Sequence, residues 1–419
     1  MPEHVLIVGP GRDFPARLRR ARPGTRTTVL CDITYIGRVR EPAENVRVIC
    51  LRRNAPEQEW IDLALAVHAR DPFTRVGSFG ESDQIPYAAV AQSLGLPGHS
   101  PQTVHLAHDK AAMRAWLREK GIDSTASQRV QSLDELRAFT QRHGMPCIVK
   151  PVSSAGSAGV GKVSTDGDLE QAFARAGRSE PGQAAAGVLV EEFLDGPQYS
   201  VEAFSEYGEH VLVGITAKCS DPDGFVELGH VSPAGLPEEQ RRDIGTYVKR
   251  ILDALGVQNG PTHTEVVLTG AGPRLIETHV RVGGDSIPDL TLDATGVDLD
   301  DCTARQALGE QVLPGIRATL AEARPSRPAS AIWFASIDTS GTLVSVTGTD
   351  TAAAVPGVSK VSVLAQTGSE IGALTDSDAR LASARALGDT PEAALAAARE
   401  AVSHLEFRLG ARPRDSRTI

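Results

Sequence analysis

Two acidic residues, Glu265 and Glu277, flank a glycine-rich turn, and each lies in a run of residues with β-strand character. A hairpin symmetric about Ala271 places these carboxylates opposite each other and places His263 opposite His279. Directly opposed carboxylates repel each other and destabilise a sheet. A Mg²⁺ ion between them reverses that effect, because Mg²⁺ binds one or two carboxylates together with phosphate oxygens. The hairpin therefore predicts a divalent-metal site next to a phosphate-bearing ligand.

Arg281 shares the strand face of Glu277, because side chains alternate between the two faces of a strand. Its guanidinium is permanently charged and suits a phosphoryl group. A solvated, salt-bridged hairpin is the alternative, but apolar neighbours such as Val266 and Ile276 make that alternative a poor fit. Arg281 is therefore a candidate phosphate ligand beside the two acids.

A loop rich in glycine and serine joins Lys150 to Lys162. Small residues allow the backbone to approach a ligand, and their N–H groups can surround phosphate oxygens. Residues 156–162 also match the Walker A frame, but Val163 stands where a Mg²⁺-binding Ser or Thr is required. A strand, not a helix, is expected to follow. A flap between two strands fits better than a P-loop, and an ordinary hairpin turn is the third alternative.

Composition excludes several other functions. The net charge of −10 argues against a protein that mainly binds nucleic acid or an anionic membrane. No apolar run approaches the roughly 18 residues of a membrane span, and the N-terminus has no signal-peptide pattern. Five dispersed cysteines without a CxxC pair are typical of reduced thiols. We therefore expect a cytoplasmic protein.

The elements that position these residues suggest several lobes. Short buried-type strands and a helix over 85–94 predict a small doubly wound α/β domain at the N-terminus. Its Gly9-Pro-Gly11 turn is a weak dinucleotide motif, because Phe14 stands in place of the third glycine. A Pro/Arg-rich stretch at 323–328 predicts a boundary before a β-rich C-terminal region.

Taken in order, the motifs of the central half of the chain resemble the ATP-grasp superfamily. They are Asp109-Lys110 on a helix, Val149-Lys150-Pro151 before the flap, Glu191-Glu-Phe-Leu-Asp-Gly196, Glu265 and Glu277-x-His-x-Arg281. The resemblance implies an α/β and α+β multi-lobe molecule with an ATP-grasp fold, an N-terminal doubly wound α/β domain and a β-rich C-terminal domain. The expected divisions are 1–105 for the N-terminal domain, 106–190 for the linker helix and lid with its flap, 191–322 for the catalytic subdomain, and 323–419 for the C-terminal domain.

The resemblance also implies a role for individual residues. Contacts to ATP are expected from Lys110, Lys150, Ser153, Ser154, Gly156, Ser157, Gly159, Glu191, Glu192, Phe193, Leu194 and Glu202. The expected metal ligands are Glu265, Glu277 and His279, with Mg²⁺ as the ion and Mn²⁺ tolerated. Two positions depart from the family pattern, since His279 stands where many members have Asn and Gln198 stands where an acid is common.

Within the superfamily, the segments Glu277–Pro288 and Glu227–Pro233 are similar to those of L-amino-acid ligases, which form dipeptides. This resemblance implies catalytic roles for Arg281, Lys218 and His230, and substrate contacts from Glu227, His263, Gly283, Gly284 and Asp285. It implies small-molecule amino-acid substrates, joined through an acyl phosphate with release of ADP and phosphate, and a homodimer is a further expectation. The alternatives are an ATP-grasp carboxylase or purine-type ligase, and a non-catalytic ATP-binding regulatory protein.

Overall fold

The computed structural model describes residues 3–153, 156–178, 187–221, 225–322 and 327–410. Its N-terminal part is a four-stranded parallel sheet with strand order β3-β2-β1-β4. The elements are β1 (His4–Val8), α1 (Phe14–Ala21), β2 (Arg26–Asp32), β3 (Arg47–Leu51), α2 (Glu57–His68), β4 (Arg75–Ser78) and α3 (Gln84–Leu94). Helices α2 and α3 cover one face of the sheet and α1 the other. The predicted doubly wound domain is confirmed.

A linker and a second small sheet follow. They comprise α4 (Pro101–His108), α5 (Lys110–Glu119), β5 (Ser127–Val130), α6 (Leu133–His143), β6 (Cys147–Pro151), β7 (Gly161–Val163), α7 (Leu169–Ala176) and β8 (Val188–Glu192). Asp109 caps α5 by accepting a hydrogen bond from the Ala112 amide at 2.9 Å. Strands β6 and β7 pair antiparallel around the glycine-rich loop. The loop is therefore a flap between two strands and not a P-loop.

The largest sheet has eight strands in the order β13-β12-β9-β10-β11-β14-β18-β16. Up to residue 322 the elements are β9 (Gln198–Glu206), β10 (Glu209–Ser220), β11 (Glu227–Ser232), α8 (Glu238–Leu255), β12 (Gly260–Thr269), β13 (Gly272–His279), α9 (Ile287–Thr295), α10 (Leu299–Ala307) and α11 (Leu313–Glu322). Helix α10 packs Ala304 against the N-terminal sheet beside Phe14. This contact ties the first domain to the central one.

The C-terminal elements extend the same large sheet. They are β14 (Ala329–Ala335), β15 (Gly341–Thr347), α12 (Thr349–Ala353), β16 (Val358–Val363), β17 (Glu370–Ile371), β18 (Ala382–Gly388), α13 (Pro391–Ser403) and β19 (Glu406–Gly410). Strand β14 pairs with β11, with Gly229 opposite Trp333. Strands β17, β15 and β19 form a separate small sheet. The region expected to begin at residue 323 thus contributes strands to the same sheet as the central region, so the sheet spans the expected boundary.

None of the helices in the described ranges is long and apolar enough to cross a membrane.

Candidate active site

A cavity of about 370 Å³ opens between the lid sheet, the eight-stranded sheet and the C-terminal region. Most of the residues expected at the site line this cavity, although they are dispersed over 176 positions of sequence between Lys110 and Asp285. They are Lys110, Lys150, Gly156, Ser157, Glu191, Glu192, Phe193, Leu194, Lys218, Glu227, His230, His263, Glu265, Glu277, His279, Arg281, Gly284 and Asp285. The fold therefore gathers the predicted residues into one place.

Four expected residues do not line the cavity: Ser153, Gly159, Glu202 and Gly283. Glu202 was expected to contact the nucleotide, but it is 0% exposed and its Oε1 lies 2.6 Å from Nδ1 of His263. We therefore correct its role: the Glu202 carboxylate contacts His263 and does not face the cavity. Ser154, which was expected at the flap, lies outside the described residues.

The two acids face each other, as predicted, but the hairpin reaches this register by another route. Glu265 pairs with Glu277 and His263 with His279, whereas Thr269 pairs with Gly272. The turn is therefore one residue shorter than the symmetric turn we expected. A bulge at Ile276 of β13, opposite the step from Glu265 to Val266, absorbs the difference, because it inserts one extra residue.

Each acid is held by a buried lysine. Lys110 Nζ lies 2.9 Å from Glu277 Oε2, and Lys218 Nζ lies 2.6 Å from Glu265 Oε2 and 3.0 Å from Glu227 Oε1. Burial opposes ionisation of Glu265, but Lys218 and His263 outweigh it and lower its pKa to about 2. Burial likewise opposes ionisation of Glu277, and Lys110 is the main cause that lowers its pKa. Both carboxylates are therefore charged at neutral pH.

These ionised, opposed carboxylates suit a hard divalent cation. Within the described part of the chain, no group of three or more His, Cys, Asp or Glu forms a complete metal site. Glu265 and Glu277 could hold Mg²⁺ together with oxygens such as those of phosphate and water. Mg²⁺ is commonly bound in this way beside nucleotide phosphates.

His279, which we expected as a metal ligand, lies between two acids. Its Nε2 lies 3.0 Å from Glu277 and its Nδ1 lies 3.0 Å from Glu81. Burial tends to lower the pKa of His279, but Glu277 and Glu81 outweigh burial and raise it. In this arrangement both ring nitrogens of His279 contact acids.

The Glu191 side chain contacts two cations. Its buried carboxylate lies 2.6 Å from Lys150 Nζ and 2.6 Å from Arg114 Nε. Burial opposes the charge of Glu191, yet Arg114 and Lys150 lower its pKa to about 2. The side chain thus fixes the position of the Lys150 ammonium group. We did not predict Arg114 from the sequence, although a signal for it exists. Arg114 lies four residues after Lys110 and therefore shares its helix face.

Two further residues of the cavity region come from distant parts of the sequence. Glu81, in the loop after β4, accepts a hydrogen bond from Arg281 Nε at 2.9 Å. Arg380, before β18, donates to both oxygens of Asp285 at 2.7 Å, and its guanidinium lies 3.9 Å from the ring centre of Phe334. No local pattern marks either residue, since each acquires its partner only through tertiary contacts.

The loop that carries Asp285 is in an unusual conformation. Asp285 and Ser286 have positive φ angles of 51° and 60°, which are uncommon for residues other than glycine and cost of order 1 kcal/mol each. Arg380 and the Nε2 atom of His230, 3.2 Å away, hold the Asp285 carboxylate. The C-terminal region thus helps to maintain this strained loop against the cavity.

Family models match two parts of the chain. Residues 143–289 match the ATP-grasp domain, and residues 333–410 match the L-amino acid ligase C-terminal domain 2. Among curated relatives, a protein of Sinorhizobium fredii is 32% identical over 297 residues, covering 71% of this chain and 60% of the relative. The alanine–anticapsin ligase of Bacillus subtilis is 30% identical over 258 residues, covering 57% and 54%. The chain thus spans little more than half the length of these relatives.

Solved structures resemble the fold over nearly the whole chain. An L-amino acid ligase from Bacillus licheniformis superposes with a TM-score of 0.82 at 23% identity, covering 97% of this chain and 99% of that one. A phosphoribosylglycinamide synthetase from Anaerococcus prevotii gives 0.69 at 15% identity, covering 98% and 100%. At such identities the likeness shows the fold alone. The chain therefore contains an ATP-grasp domain and a C-terminal domain of the L-amino acid ligase type.

Proposed function

We propose that this protein is an ATP-dependent carboxylate–amine ligase that joins two amino acids and releases ADP and phosphate. The observation that carries the proposal is the convergence, in one cavity, of Lys110 and Lys150 with the opposed Glu265–Glu277 pair and Arg281. This set neutralises phosphate charge, which is the main requirement of phosphoryl transfer. The match of the C-terminal domain favours amino-acid substrates over the carboxylase and purine-type alternatives.

The reaction has two steps. In the first, a donor carboxylate oxygen bonds to the γ-phosphorus of ATP, the bond to the β–γ bridging oxygen breaks, and ADP leaves. In the second, an amine attacks the acyl carbon, phosphate leaves, and the nitrogen loses a proton to give an amide. Neither step needs a protein nucleophile, so positioning and charge stabilisation suffice.

The charged side chains divide these tasks. Lys150, aligned by Glu191, and Lys110 would contact the phosphates, while Glu265 and Glu277 would bind Mg²⁺, which neutralises phosphate charge when bound. The same carboxylates contact Lys110 and Lys218 here, so the ion would be held beside both lysines.

The amino-acid end of the cavity would lie beside Arg281. There, Glu227, His230 and Asp285 form a polar wall with Lys218. Carboxylates of this kind suit an α-ammonium group, and the neighbouring cations suit a carboxylate. We propose this wall as the part of the cavity that orients the donor and the acceptor.

A matrix of amino-acid pairs tests the proposal, scored by phosphate release and by product mass. We expect ADP and a dipeptide only when a donor and an acceptor are both present. ADP formation with bicarbonate alone, without a response to amino acids, would instead show a carboxylase-type activity. ATP binding without turnover across the matrix would show a regulatory protein.

A further inference from the structure

A second cavity, of about 200 Å³, lies at the seam between the N-terminal domain and the eight-stranded sheet. One wall is β4, whose residues 75–78 all line it, and the opposite wall includes Gly260 and Pro261 at the start of β12. Strand β4 is the edge strand of its sheet and pairs with β1 on one side. An edge strand offers N–H and C=O groups to an added peptide backbone.

Polar atoms without a partner lie on this wall. Gln84 is 2% exposed and donates through Nε2 to the Gly80 carbonyl at 3.2 Å, but its Oε1 has no hydrogen-bond partner. The Ser78 hydroxyl, at the carboxyl end of β4, is also buried without a partner. Buried polar groups are normally hydrogen-bonded. An ammonium group would satisfy both oxygens.

The opposite end of β4 carries a positive charge. The buried Nε of Arg75 lies 3.8 Å from Glu3 Oε2, an ion-pair distance that is too long for a hydrogen bond. The acids that line the cavity are already engaged, since Glu206 accepts from the Val312 amide at 2.8 Å and Glu310 accepts from Arg305 at 2.8 Å. Arg75 is therefore suited to a carboxylate brought by a ligand.

We infer that this second cavity binds a small zwitterionic peptide, with its carboxylate at Arg75, its ammonium group at Gln84 and Ser78, and its backbone along the edge of β4. Three residue steps separate Arg75 from Ser78, about 10 Å along a strand. An extended dipeptide spans about 7 Å, which leaves room for polar contacts at both ends. The identification of the ligand as a dipeptide rests on the proposed function, whereas the polar arrangement of the cavity does not.

Arg281 lines both cavities. A peptide in the second cavity would therefore act on the residue that we assign to phosphate, without occupying the nucleotide site. This predicts inhibition by the product dipeptide that excess amino acid does not relieve. Product bound in the second cavity would then inhibit the reaction in the first cavity.

The test is calorimetric titration of L-alanyl-L-alanine into the full chain, saturated with a non-hydrolysable ATP analogue. We expect two binding phases in the wild type. Arg75→Met and, separately, Gln84→Met should each weaken one phase by at least about tenfold, because a charge-assisted hydrogen bond is lost. Arg52→Met, in the same domain but exposed and outside the cavity lining, should leave both phases unchanged.

A single phase in the wild type, or two phases that neither Arg75→Met nor Gln84→Met alters while both variants keep the wild-type melting temperature, would overturn the inference. Dipeptide synthesis is measured on the same preparations. Absence of synthesis together with an Arg75-dependent binding phase would refute the proposed function and leave the second site intact. Synthesis without an Arg75-dependent binding phase would support the proposed function and refute the second site.

Discussion

The acids of the catalytic cavity are ionised although they are buried, because each has a cation beside it. For Glu81, Glu191 and Glu265, burial alone would raise the pKa, and the nearby cations lower it instead. Burying a charge is tolerable only with such a partner. Removal of either the acid or the cation of such an ion pair therefore affects both the chemistry and the stability of the site.

Replacing Glu277 by Gln tests the chemical part of this argument. The amide keeps the shape but loses the charge that would balance Mg²⁺ and Lys110, so we expect turnover to fall by at least about a hundredfold. ATP should still bind in part through Lys150 and the lid. Phosphate release and calorimetric ATP binding measure the two effects. Glu57→Gln, on the exposed face of α2, is the matched control, and unchanged turnover in Glu277→Gln contradicts the metal assignment.

Replacing Arg114 by Met tests the stability part. Its guanidinium lies 2.6 Å from Glu191 and 3.5 Å from Asp123, and it is almost fully buried. The substitution leaves two buried carboxylates with less compensation, so we expect the free energy of unfolding to fall by about 3 kcal/mol. Arg137→Met removes an exposed pair with Asp134 and should cost less than about 1 kcal/mol. Urea denaturation compares the two, and equal effects would refute the argument.

At the scale of elements, the pairing of β11 with β14 joins the ATP-grasp part to the C-terminal part. Gly229 is central to this pairing, because a Cβ there would lie 2.4 Å from the Trp333 side chain and 2.6 Å from the Ile332 carbonyl oxygen. Contacts this short force the strands apart. The absence of a side chain at this position therefore permits the eight-stranded sheet.

Gly229→Ala should accordingly lower the free energy of unfolding by about 2 kcal/mol, the usual cost of overpacking. Gly315→Ala in α11, where a Cβ meets nothing within 4 Å, should be neutral or slightly stabilising. Thermal unfolding of both variants measures the difference. A Gly229→Ala protein as stable as the wild type would show that the two strands adjust without cost.

The N-terminal domain contains a buried acid, Asp83, whose pKa is raised, unlike the pKa values of Glu265 and Glu277 beside their lysines. Asp83, before α3, lies so close to Gly9 and Gly80 that a Cβ at either glycine would be within 2.4 Å of its carboxylate. Burial, followed by the charge of Asp32, raises the pKa of Asp83 to about 6. Folding above that pH therefore requires burial of a charge that the unfolded chain exposes to water.

Asp83→Asn should then stabilise the protein in a pH-dependent way. Below about pH 4 the carboxyl is neutral in both folded and unfolded states, so the substitution has little effect. Between pH 4 and 6 the unfolded wild type loses its proton first, and above pH 6 the gain reaches about 2–3 kcal/mol. Melting temperatures at pH 4 and pH 8 measure it. An equal shift at both values would contradict the assignment of the pKa.

At the scale of the whole molecule, the catalytic cavity depends on parts contributed by every region. Glu81 comes from the N-terminal domain, Lys150 from the lid, Glu277 from the central hairpin and Arg380 from the C-terminal region. The apolar core beside β11 is shared as well, since Val231 packs with alanines of β14, β18 and α13. The regions are thus not independent units.

A fragment of residues 1–322 should therefore fail to form a stable native structure. Removal of β14 exposes the edge of β11 and the apolar surface around Val231, and unpaired edges promote aggregation. We expect low solubility and no cooperative thermal transition near that of the full chain. A soluble fragment that melts at the full-length temperature would show that the C-terminal region is an independent addition.

Local patterns predicted much of this architecture and of the site. Helices α5 and α6 begin after the capping residues Asp109 and Ser132, whose side chains accept hydrogen bonds from the amides three residues later. The register of the two acids was also predicted, although the length of the turn was wrong. Strand alternation requires both acids on one face, whereas nothing in the local sequence marks a bulge.

What the sequence determined by itself is the set of elements and the residues with chemical capability, because alternation, capping and glycine placement act over a few residues. What only the tertiary structure decided is which charges meet. The contacts of Glu81 with Arg281, of Asp285 with Arg380 and of His279 with Glu81 all join chain segments separated by 95 to 200 residues. Coulomb attraction in a buried site depends on distance in space, so the roles of these residues follow from the fold.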